Sequence, residues 1–459
     1  MLTVTAHSVN RPFRSMAVLL LAVLVLSACT PSSTLPAAPS AALAPTTSPT
    51  LPPSATPVAV QTAVVVFVKD GDLLAWDEAT GQTETLFAAA DAISVTMSDD
   101  GQVVVFLRRS VVQRAENEWY EQSALWAVDR NGENARPLVS EEELRRLLNA
   151  SEIDSTNIPQ MAWIPGTHRL LYSGWTYLVQ AEGESHAVPE GLYQVDTDTV
   201  ANAVLVPDGS NLRFLPSPDG EQIALMSLTG LSFVNPDGSN RREDVLTYSQ
   251  VGMAAPLFPT GVWTEDSRAF LITGSLEADP TVGFGFSIWR VPVDGSPPNP
   301  LADLRQSHPG SVTFSPDGRS AAAIRYTDQV PPEIAGWFIT PLPEGVGPLA
   351  IPQEIEVGHA SLHWSPAGDA FTGTLMTLCP DASQDSDVCD SPISFWGSTA
   401  AIRWMDGTRF LLLTRNPSVL FLGRLDVAGG LDASTMPIVT WPLAEWVGPQ
   451  SFSAVNVSR

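Results

Sequence analysis

The chain has few cysteines and few basic residues for its size. Three cysteines stand among 459 residues, which excludes a disulfide-rich scaffold and a cysteine-rich zinc module. Lysine and arginine together number 24 against 50 acidic residues, so the formal net charge is −26. Because nucleic-acid binding needs a basic surface that displaces counterions, this balance argues against a nucleic-acid partner.

Several motifs that carry chemistry are also missing. The sequence contains no G-x-S-x-G nucleophile elbow, no G-x-x-x-x-G-K-[ST] phosphate loop and no H-E-x-x-H zinc helix. His359 and His363 stand four residues apart. We interpret them as polar residues near a turn rather than as ligands of a metal site. One loop is rich in acids: Asp381, Asp385, Asp387 and Asp390. Solvated acids are favoured there over a calcium site, because the EF-hand spacing is absent. We predict no cofactor, no metal and no assignable catalytic residue.

The N-terminal segment has the parts of an export signal. Arg11 and Arg14 precede an apolar run from Met16 to Leu26, which is short for a membrane span. The run ends in Leu26-Ser27-Ala28-Cys29, which resembles the bacterial lipobox. That resemblance implies a signal peptide over residues 1–28 and acylation of Cys29, with the ordinary signal peptide as the alternative. Two or more acyl chains anchor a protein stably to a membrane.

A segment rich in proline, serine and threonine follows the cysteine. Residues 29–59 carry no charge and no aromatic side chain, so they have nothing with which to build a core. We predict a tether there, with contact to the membrane through the lipid alone. The expected location is exported and anchored at the cell membrane or envelope.

The remaining residues, 60–459, form a repeat. Ser217-Pro218-Asp219-Gly220 and Ser315-Pro316-Asp317-Gly318 each lie between apolar runs, and weaker copies recur at intervals of 40–66 residues. Proline, aspartate and glycine in this order favour a tight turn between two strands. The repeat-turn residues are Asp219, Gly220, Asp317 and Gly318 in these two copies, and Asp100 and Gly101 in a weaker copy.

These turns and their apolar flanks resemble the TolB-like, WD40-like propeller repeat. The resemblance implies an all-β fold, a single β-propeller of four-stranded antiparallel blades. Residues 64–87 hold three strands without a first strand, and residues 451–457 hold a single strand. If the last strand completes the first blade, no sheet edge stays open there. This arrangement favours eight blades, with seven as the alternative.

Three further features belong to the repeat body. Ser140 to Glu143 form a capping box, which predicts a short inserted helix. Cys379 and Cys389 are expected to form a disulfide in an exported chain, with a free-thiol pair as the alternative.

Tryptophans recur at two repeat positions and are predicted in the core between blades: Trp163, Trp263, Trp364 and Trp404 at one, and Trp76, Trp126 and Trp289 at the other. Those outside the register are expected to make exposed contacts: Trp119, Trp175, Trp337, Trp396, Trp441 and Trp446.

The function that these features favour is non-catalytic. We expect a binding or scaffold module whose propeller face takes an unknown protein, peptide or glycan. One alternative is a propeller-type hydrolase or lyase that uses carboxylates in the central channel. Another is a TolB-like partner of an envelope complex, although TolB carries an additional N-terminal domain where this chain has the proline-rich segment.

Replacement of Cys29 by serine tests the lipid anchor. The thiol is the acyl acceptor, so Cys29→Ser is expected to move the exported protein from the detergent phase to the aqueous phase of a detergent-partition assay. Cys379→Ser serves as the control, because it removes a thiol without touching the lipobox. A Cys29→Ser protein that partitions like the wild type would show that the anchor lies elsewhere.

Overall fold

Antiparallel β-strands make up nearly all of the regular structure, as the apolar runs between turns predict. The computed structural model describes residues 61–115, 118–151, 154–179, 185–207, 212–248, 259–274, 285–305, 312–326, 334–343, 353–355, 361–364, 370–373, 377–378, 398–405, 409–415, 418–424, 434–441 and 451–458. All of them belong to one compact unit, Val58–Arg459.

The strands are numbered in chain order. They are β1 (Gln61–Lys69), β2 (Asp72–Asp77), β3 (Gln82–Phe87), β4 (Ala92–Met97), β5 (Val103–Ala115), β6 (Glu118–Asp129), β7 (Arg136–Val139), β8 (Ser155–Trp163), β9 (Arg169–Val179), β10 (Ser185–Asp196), β11 (Ala201–Val206), β12 (Arg213–Pro216), β13 (Ile223–Met226), β14 (Gly230–Val234), β15 (Arg242–Thr247) and β16 (Gly261–Trp263). The second half of the chain adds β17 (Ala269–Gly274), β18 (Gly285–Pro292), β19 (Asn299–Arg305), β20 (Thr313–Phe314), β21 (Ser320–Tyr326), β22 (Ile334–Pro341), β23 (Gln353–Ile355), β24 (Ser361–Trp364), β25 (Ala370–Gly373), β26 (Thr377–Leu378), β27 (Ser398–Trp404), β28 (Arg409–Arg415), β29 (Val419–Arg424), β30 (Ser434–Thr440) and β31 (Phe452–Ser458).

Within the described residues these strands form eight antiparallel sheets, and seven of the sheets have four strands. Sheet 1 has the order β31-β1-β2-β3. Sheets 2 to 6 are β4–β7, β8–β11, β12–β15, β16–β19 and β20–β23, followed by sheet 7 (β24–β26) and sheet 8 (β27–β30). First strands of neighbouring sheets contact one another, as β31 does β4, β8 does β12 and β20 does β24. This is the strand order of propeller blades whose first strands face a common axis.

The second strands of the sheets other than sheet 7 are buried on both faces over their described side chains. In β5, Val104 and Phe106 pack toward sheet 1, whereas Val103 and Val105 pack toward sheet 3. A strand enclosed by neighbours on both sides reads as a continuous apolar run rather than as an alternation. The runs that leave each repeat turn therefore mark the strands with the most buried surroundings.

The hydrophobic core is divided into clusters that each join two neighbouring sheets. Successive clusters link sheet 8 to sheet 1, sheet 1 to 2, 2 to 3, 3 to 4, 4 to 5, and 5 to 6. The cluster between sheets 4 and 5 shows the pattern: Phe233 and Trp263 lie 5.4 Å apart across the seam, and Phe270 packs edge-on against both. Burial between sheets, rather than within one sheet, stabilises the fold.

The two ends of the described chain meet in sheet 1. Strand β31 pairs with β1 in a regular antiparallel register that places Val64 opposite Val455 and Phe67 opposite Phe452. Phe452 is 1% exposed, and the Met97 backbone N–H donates to Ser453 Oγ at 3.3 Å. Strand β31, the last in chain order, thus occupies the first position in sheet 1, as the sequence predicts.

A second set of contacts joins sheet 8 to sheet 1. The carboxylate of Glu78 is almost fully buried; it accepts hydrogen bonds from the Ala63 N–H at 2.7 Å and from Arg409 Nη1 at 2.7 Å, and it pairs with Arg424. Hydrogen bonds from these protein donors replace those that the carboxylate would make with water, and they offset the cost of its burial.

Trp441 fills the same seam. It follows β30, is 2% exposed, and donates from Nε1 to the Val68 carbonyl at 2.9 Å. Its ring lies edge-on to Phe67 at a centroid distance of 6.0 Å. Seam contacts therefore include both charge and apolar surface.

The predicted helix is present as α1 (Glu141–Leu147), between sheets 2 and 3. Ser140 caps it by accepting a hydrogen bond from the Glu143 N–H at 3.1 Å, while the Glu143 carboxylate pairs with Arg146 instead of completing the capping box. Leu144 and Leu148 enter the cluster between sheets 2 and 3. Within the described residues, no helix is long and apolar enough to cross a bilayer.

Deletion of residues 451–459 tests the closure of sheet 1. The truncation removes β31, leaves the edge of β1 unpaired, and exposes the apolar surface that Phe452 covers. We expect the single cooperative transition in differential scanning calorimetry to disappear, or the protein to aggregate.

A matched control removes an equal number of residues from the segment 30–58. That deletion takes away no strand of the eight sheets and is expected to leave the melting temperature unchanged. Cooperative melting of the C-terminal truncation at the wild-type temperature would contradict closure by β31.

Candidate functional site

Antiparallel connectivity sorts the loops of every sheet into two ends. The turns that join strands one to two and three to four lie at one end of a sheet, and the hairpin that joins strands two and three lies at the other. We call the first end the turn face and the second the hairpin face. The repeat turns that the structure describes lie on the turn face, whereas the hairpins β5–β6 and β9–β10 extend far beyond their neighbours on the hairpin face.

The repeat turns are held by a shared set of hydrogen bonds. In the first copy, Ser98 Oγ donates to Asp100 Oδ1 at 2.6 Å and accepts from the Val103 N–H at 3.0 Å, while Asp100 Oδ1 accepts from the Gln102 N–H at 3.1 Å. The corresponding bonds recur around Asp219 and Asp317. The carboxylates of these aspartates therefore stabilise the turns.

The glycine of each turn occupies a backbone conformation that other residues rarely adopt. Gly101, Gly220 and Gly318 have φ values of 70°, 71° and 67°. A Cβ on Gly220 would also lie 2.9 Å from the Pro165 carbonyl oxygen of the preceding sheet. Another copy of the turn has Ser267 at φ 57°, and its hydroxyl accepts from the Asp219 N–H at 3.1 Å. The turns therefore also join neighbouring sheets.

His168 links two sheets on the turn face. Its Nε2 lies 3.0 Å from Asp100 Oδ2 of sheet 2, and its Nδ1 lies 3.0 Å from both carboxylate oxygens of Asp198 in its own sheet 3. Arg136 of sheet 2 reaches the same region and donates to Asp129 Oδ1 and to the Thr197 carbonyl. The sequence gives no sign of this cluster, because its members come from separate turns.

The charges of this cluster are mutually stabilising. Partial burial of His168 favours the neutral ring, but the hydrogen bonds and charges of Asp100 and Asp198 outweigh it and raise the pKa of His168. Partial burial of Asp100 is likewise outweighed by hydrogen bonds from Ser98, Gln102 and His168, which lower its pKa. The contact thus favours a protonated His168 beside an ionised Asp100.

Most of the exposed large apolar side chains lie on the two long hairpins. Among the described residues, Trp119 (59%) and Val111 (56%) are exposed on β5–β6, and Tyr177 (37%) is exposed on β9–β10. Trp175 lies beside Tyr177 at a ring-centroid distance of 6.4 Å. Exposed aromatic groups clustered at one end of a fold are typical of a contact surface.

The hairpins are fixed in place by polar contacts. Ser110 Oγ of β5 donates to Glu141 at 2.8 Å, and the Arg145 guanidinium lies 5.7 Å from the centroid of the Tyr120 ring, so β5–β6 rests on α1. The Glu121 N–H donates to Ser155 Oγ at 2.9 Å, and Ser155 pairs with Tyr177. Both hairpins are therefore tied to the start of β8.

A cavity of about 450 Å³ opens beside the hairpins on the same face. We call it the mouth cavity; its lining residues come from sheets 1, 2 and 3, and the cavity lies at the start of their first strands. They are Val68, Gly71, Ala92, Ile93, Ser94, Leu107, Arg109, Asn157, Ile158, Pro159 and Ser451. Register shifts between Ala92 and Ser94 and between Asn157 and Gln160 bend β4 and β8 at this point. Such bulges redirect side chains at functional sites.

The first strands of the sheets carry no acidic residue within their described bounds, although the chain is strongly acidic. Their ionisable residues are Arg213, His363 and Arg403. Arg213 and Arg403 are both exposed to solvent. Protein atoms nevertheless surround each guanidinium group, and the resulting desolvation lowers the pKa of both side chains. Side chains on the inner wall of a ring combine exposure to solvent with many surrounding protein atoms.

The predicted burial of the tryptophans agrees with the structure at some positions and not at others. Trp163 and Trp263 are buried and donate from Nε1 to the preceding sheet, to Thr96 Oγ1 at 3.1 Å and to the Leu215 carbonyl at 2.9 Å. Trp119 is exposed. Trp441 is expected to be exposed but is buried in the seam between sheets 8 and 1, so that prediction is wrong.

Several predicted positions lie outside the described residues. They include Cys29, Cys379, Cys389, Trp396 and Trp446, together with the acidic loop that contains Asp381. The acylation of Cys29 and the disulfide therefore stay predictions. In the described part of the chain, no group of three or more histidine, cysteine, aspartate or glutamate residues has the arrangement of a metal site.

Comparison with known proteins gives structural likeness only. No family model and no curated protein matches the chain. An oligogalacturonate lyase in complex with manganese aligns at 11% identity and a TM-score of 0.43, covering 78% of this chain and 83% of that one. The β-propeller domain of the trilobed protease from Pyrococcus furiosus aligns at 10% identity and 0.42, covering 77% and 99%. Dipeptidyl peptidase 4 from Porphyromonas gingivalis aligns at 11% identity and 0.46, covering 81% and 56%.

A change of pH tests the His168 link. A raised folded-state pKa means that protonated His168 adds stability below its unfolded value, near 6.5, and that this contribution is lost as pH rises through the folded value. Loss of the link is expected to cost at most about 1 kcal/mol, because both aspartates are half exposed.

The measurement compares melting temperatures at pH 5.5 and pH 8 for the wild type and His168→Asn. We expect the wild type to lose more stability than the variant over this interval. Asp198→Asn is expected to lower the pKa of His168 in an NMR titration. Equal pH dependence of the wild type and His168→Asn would show that the histidine does not contribute.

Proposed function

We propose that this chain is an exported, lipid-anchored, eight-bladed β-propeller that binds a ligand, without catalysis, through its hairpin face. The observation that carries the proposal is the grouping of Trp119, Val111 and Tyr177 on two projecting hairpins beside the mouth cavity. Rigidly held aromatic side chains give contact area at little cost in conformational entropy.

The sheets support the proposed number of blades. Eight sheets, the pairing of β31 with β1, and the packing of sheet 8 against sheet 1 support a closed ring of eight. Sheet 7 contributes the three strands that are described and is assigned as the seventh blade.

The anchor supports the binding role. Acylated Cys29 and the uncharged segment 29–59 hold the propeller at the membrane without direct contact of its acidic surface with anionic lipids. A protein held in this way meets its partner outside the cytoplasm, at the cell envelope.

The absence of acids on the first strands weighs against the enzymatic alternative. A hydrolase or lyase that works through channel carboxylates needs a pair of acids aimed into the channel. The described first strands offer two arginines and a histidine instead. The repeat-turn aspartates are committed to hydrogen bonds within their turns.

Binding arrays test the proposal. The full-length protein in detergent is applied to arrays of peptides and glycans, and is compared with the double variant Trp119→Ala/Tyr177→Ala. Removal of two exposed aromatic side chains leaves the core intact and is expected to weaken binding by about tenfold or more.

Val204→Ala is the matched control, because Val204 is 51% exposed on β11 and lies outside the two hairpins. It is expected to bind like the wild type. Absence of binding to any probe, or binding that the double variant leaves unchanged, would refute a binding role for the hairpin face.

A further inference from the structure

We propose that the mouth cavity takes the C-terminal residue of a peptide, whose carboxylate accepts hydrogen bonds from Ser94, Asn157 and Arg109. This inference rests on the proposed ligand-binding role of the hairpin face and names its ligand class. It follows from the polar atoms that the cavity offers, from its apolar lining and from its charge.

The polar groups of the lining are arranged as donors. Asn157 Oδ1 accepts the Ile158 N–H at 2.8 Å, which fixes the orientation of the amide and leaves Nδ2 as a donor. Arg109 Nη1 is held by Glu121 at 3.3 Å, and no described residue engages its other guanidinium nitrogens. Ser94 is 5% exposed, and its hydroxyl has no partner in the described structure. A carboxylate accepts from all three groups.

The charge of the cavity is opposite to that of the whole chain. None of its lining residues is acidic, and Arg109 is its only lining residue with a charge. The chain as a whole has a formal net charge of −26. Arg109 is also paired with Glu121, so the cavity offers guanidinium donors and lacks an acid of its own, whereas the acidic surface elsewhere repels an anionic group.

The lack of acidic acceptors in the lining favours a peptide carboxylate over a sugar. Each sugar hydroxyl presents a donor that needs an acceptor when it is buried. The side-chain carbonyl of Asn157 is already occupied, and the lining holds no carboxylate. A buried saccharide needs an acceptor for each of its hydroxyl groups, whereas a carboxylate brings no donor and uses the donors that the lining offers.

The rest of the lining suits an aliphatic side chain. Val68, Ile93, Leu107 and Ile158 form an apolar wall opposite the donors, together with Pro159. A C-terminal residue carries a carboxylate and an apolar side chain on one Cα atom, so a single residue meets both demands. An internal aspartate or glutamate supplies the carboxylate without the apolar group. Capture of a chain terminus by backbone or side-chain donors is an established mode of peptide recognition.

The hairpins provide a path for the rest of the peptide. Val111 lies two residues beyond Arg109 on the same face of β5, and Trp119 pairs with Gln113 on that face. Residues that precede the captured terminus would therefore lie over Val111 and Trp119. The cavity gives specificity for the terminus and the hairpins give contact area.

Isothermal titration calorimetry with paired peptides tests the inference. Acetylated tetrapeptides that end in leucine are compared as the free acid and as the C-terminal amide, with the full-length protein in detergent. The free acid is expected to bind about tenfold or more tightly than the amide, because charge-assisted hydrogen bonds to the carboxylate are lost in the amide.

Asn157→Asp is the decisive variant, since it replaces one donor by a negative charge with almost no change in shape. It is expected to abolish the preference for the free acid while leaving the melting temperature near that of the wild type. Asn240→Asp makes the same change on an exposed turn of sheet 4 and is expected to keep the preference. Arg109→Gln provides a second variant, which is expected to reduce the preference without adding a charge.

The outcomes separate this inference from the proposed function. Equal binding of acid and amide, or binding of glycans alone, would overturn terminal capture while the binding role of the hairpin face stands. Binding of peptides with an internal glutamate but an amidated terminus would also overturn it. Failure of every probe would overturn both. Loss of the acid preference in Asn157→Asp, with retention in Asn240→Asp, would establish the cavity as the carboxylate site.

Discussion

The pairing of the last strand with the first is the constraint on which the rest of the structure depends. Sheets 1 to 5 each bury both faces against their neighbours, so an unclosed series would leave apolar faces exposed at its ends. Strand β31 completes sheet 1, and the seam beside it is fixed by the buried Glu78 carboxylate with Arg409 and Arg424. Charge fixes the position of the two sheets, while Trp441 and Phe67 supply the burial. Removal of one partner from such a buried pair costs more than the pair contributes.

Closure gives the molecule two different ends. The turn face is built from short, internally bonded turns, and His168 there pairs with Asp198 of its own sheet and with Asp100 of the preceding sheet. The hairpin face has longer elements, exposed aromatic side chains and a cavity whose Asn157 amide keeps its Nδ2 donor for a ligand. Groups that are satisfied within the protein stabilise it, whereas unsatisfied donors at the edge of a cavity are available to a ligand. This division agrees with the proposed binding role of the hairpin face.

The elements that the sequence predicts are those whose causes are local. Serine, proline, aspartate and glycine define a turn within a few residues, Ser140 marks the start of α1, and the missing first strand of sheet 1 is visible as an incomplete repeat. Trp441 departs from its prediction because a distant carbonyl, that of Val68, determines its burial. The His168 cluster joins residues that are 30 and 68 positions apart, and the mouth cavity depends on two bulges in different sheets. Neither leaves a periodic trace in the sequence.

The position of β31 has a consequence for synthesis. A ribosome releases the N-terminal strands of sheet 1 long before it makes the residues that pair with them, and the two segments lie at opposite ends of the described chain. Contacts between residues so far apart form late, because a long loop must close first. Until the final strand is made, β1 presents a bare edge, and the nascent chain stays open at that seam. A product that ends before β31 lacks the partner strand of β1 and leaves sheet 1 incomplete.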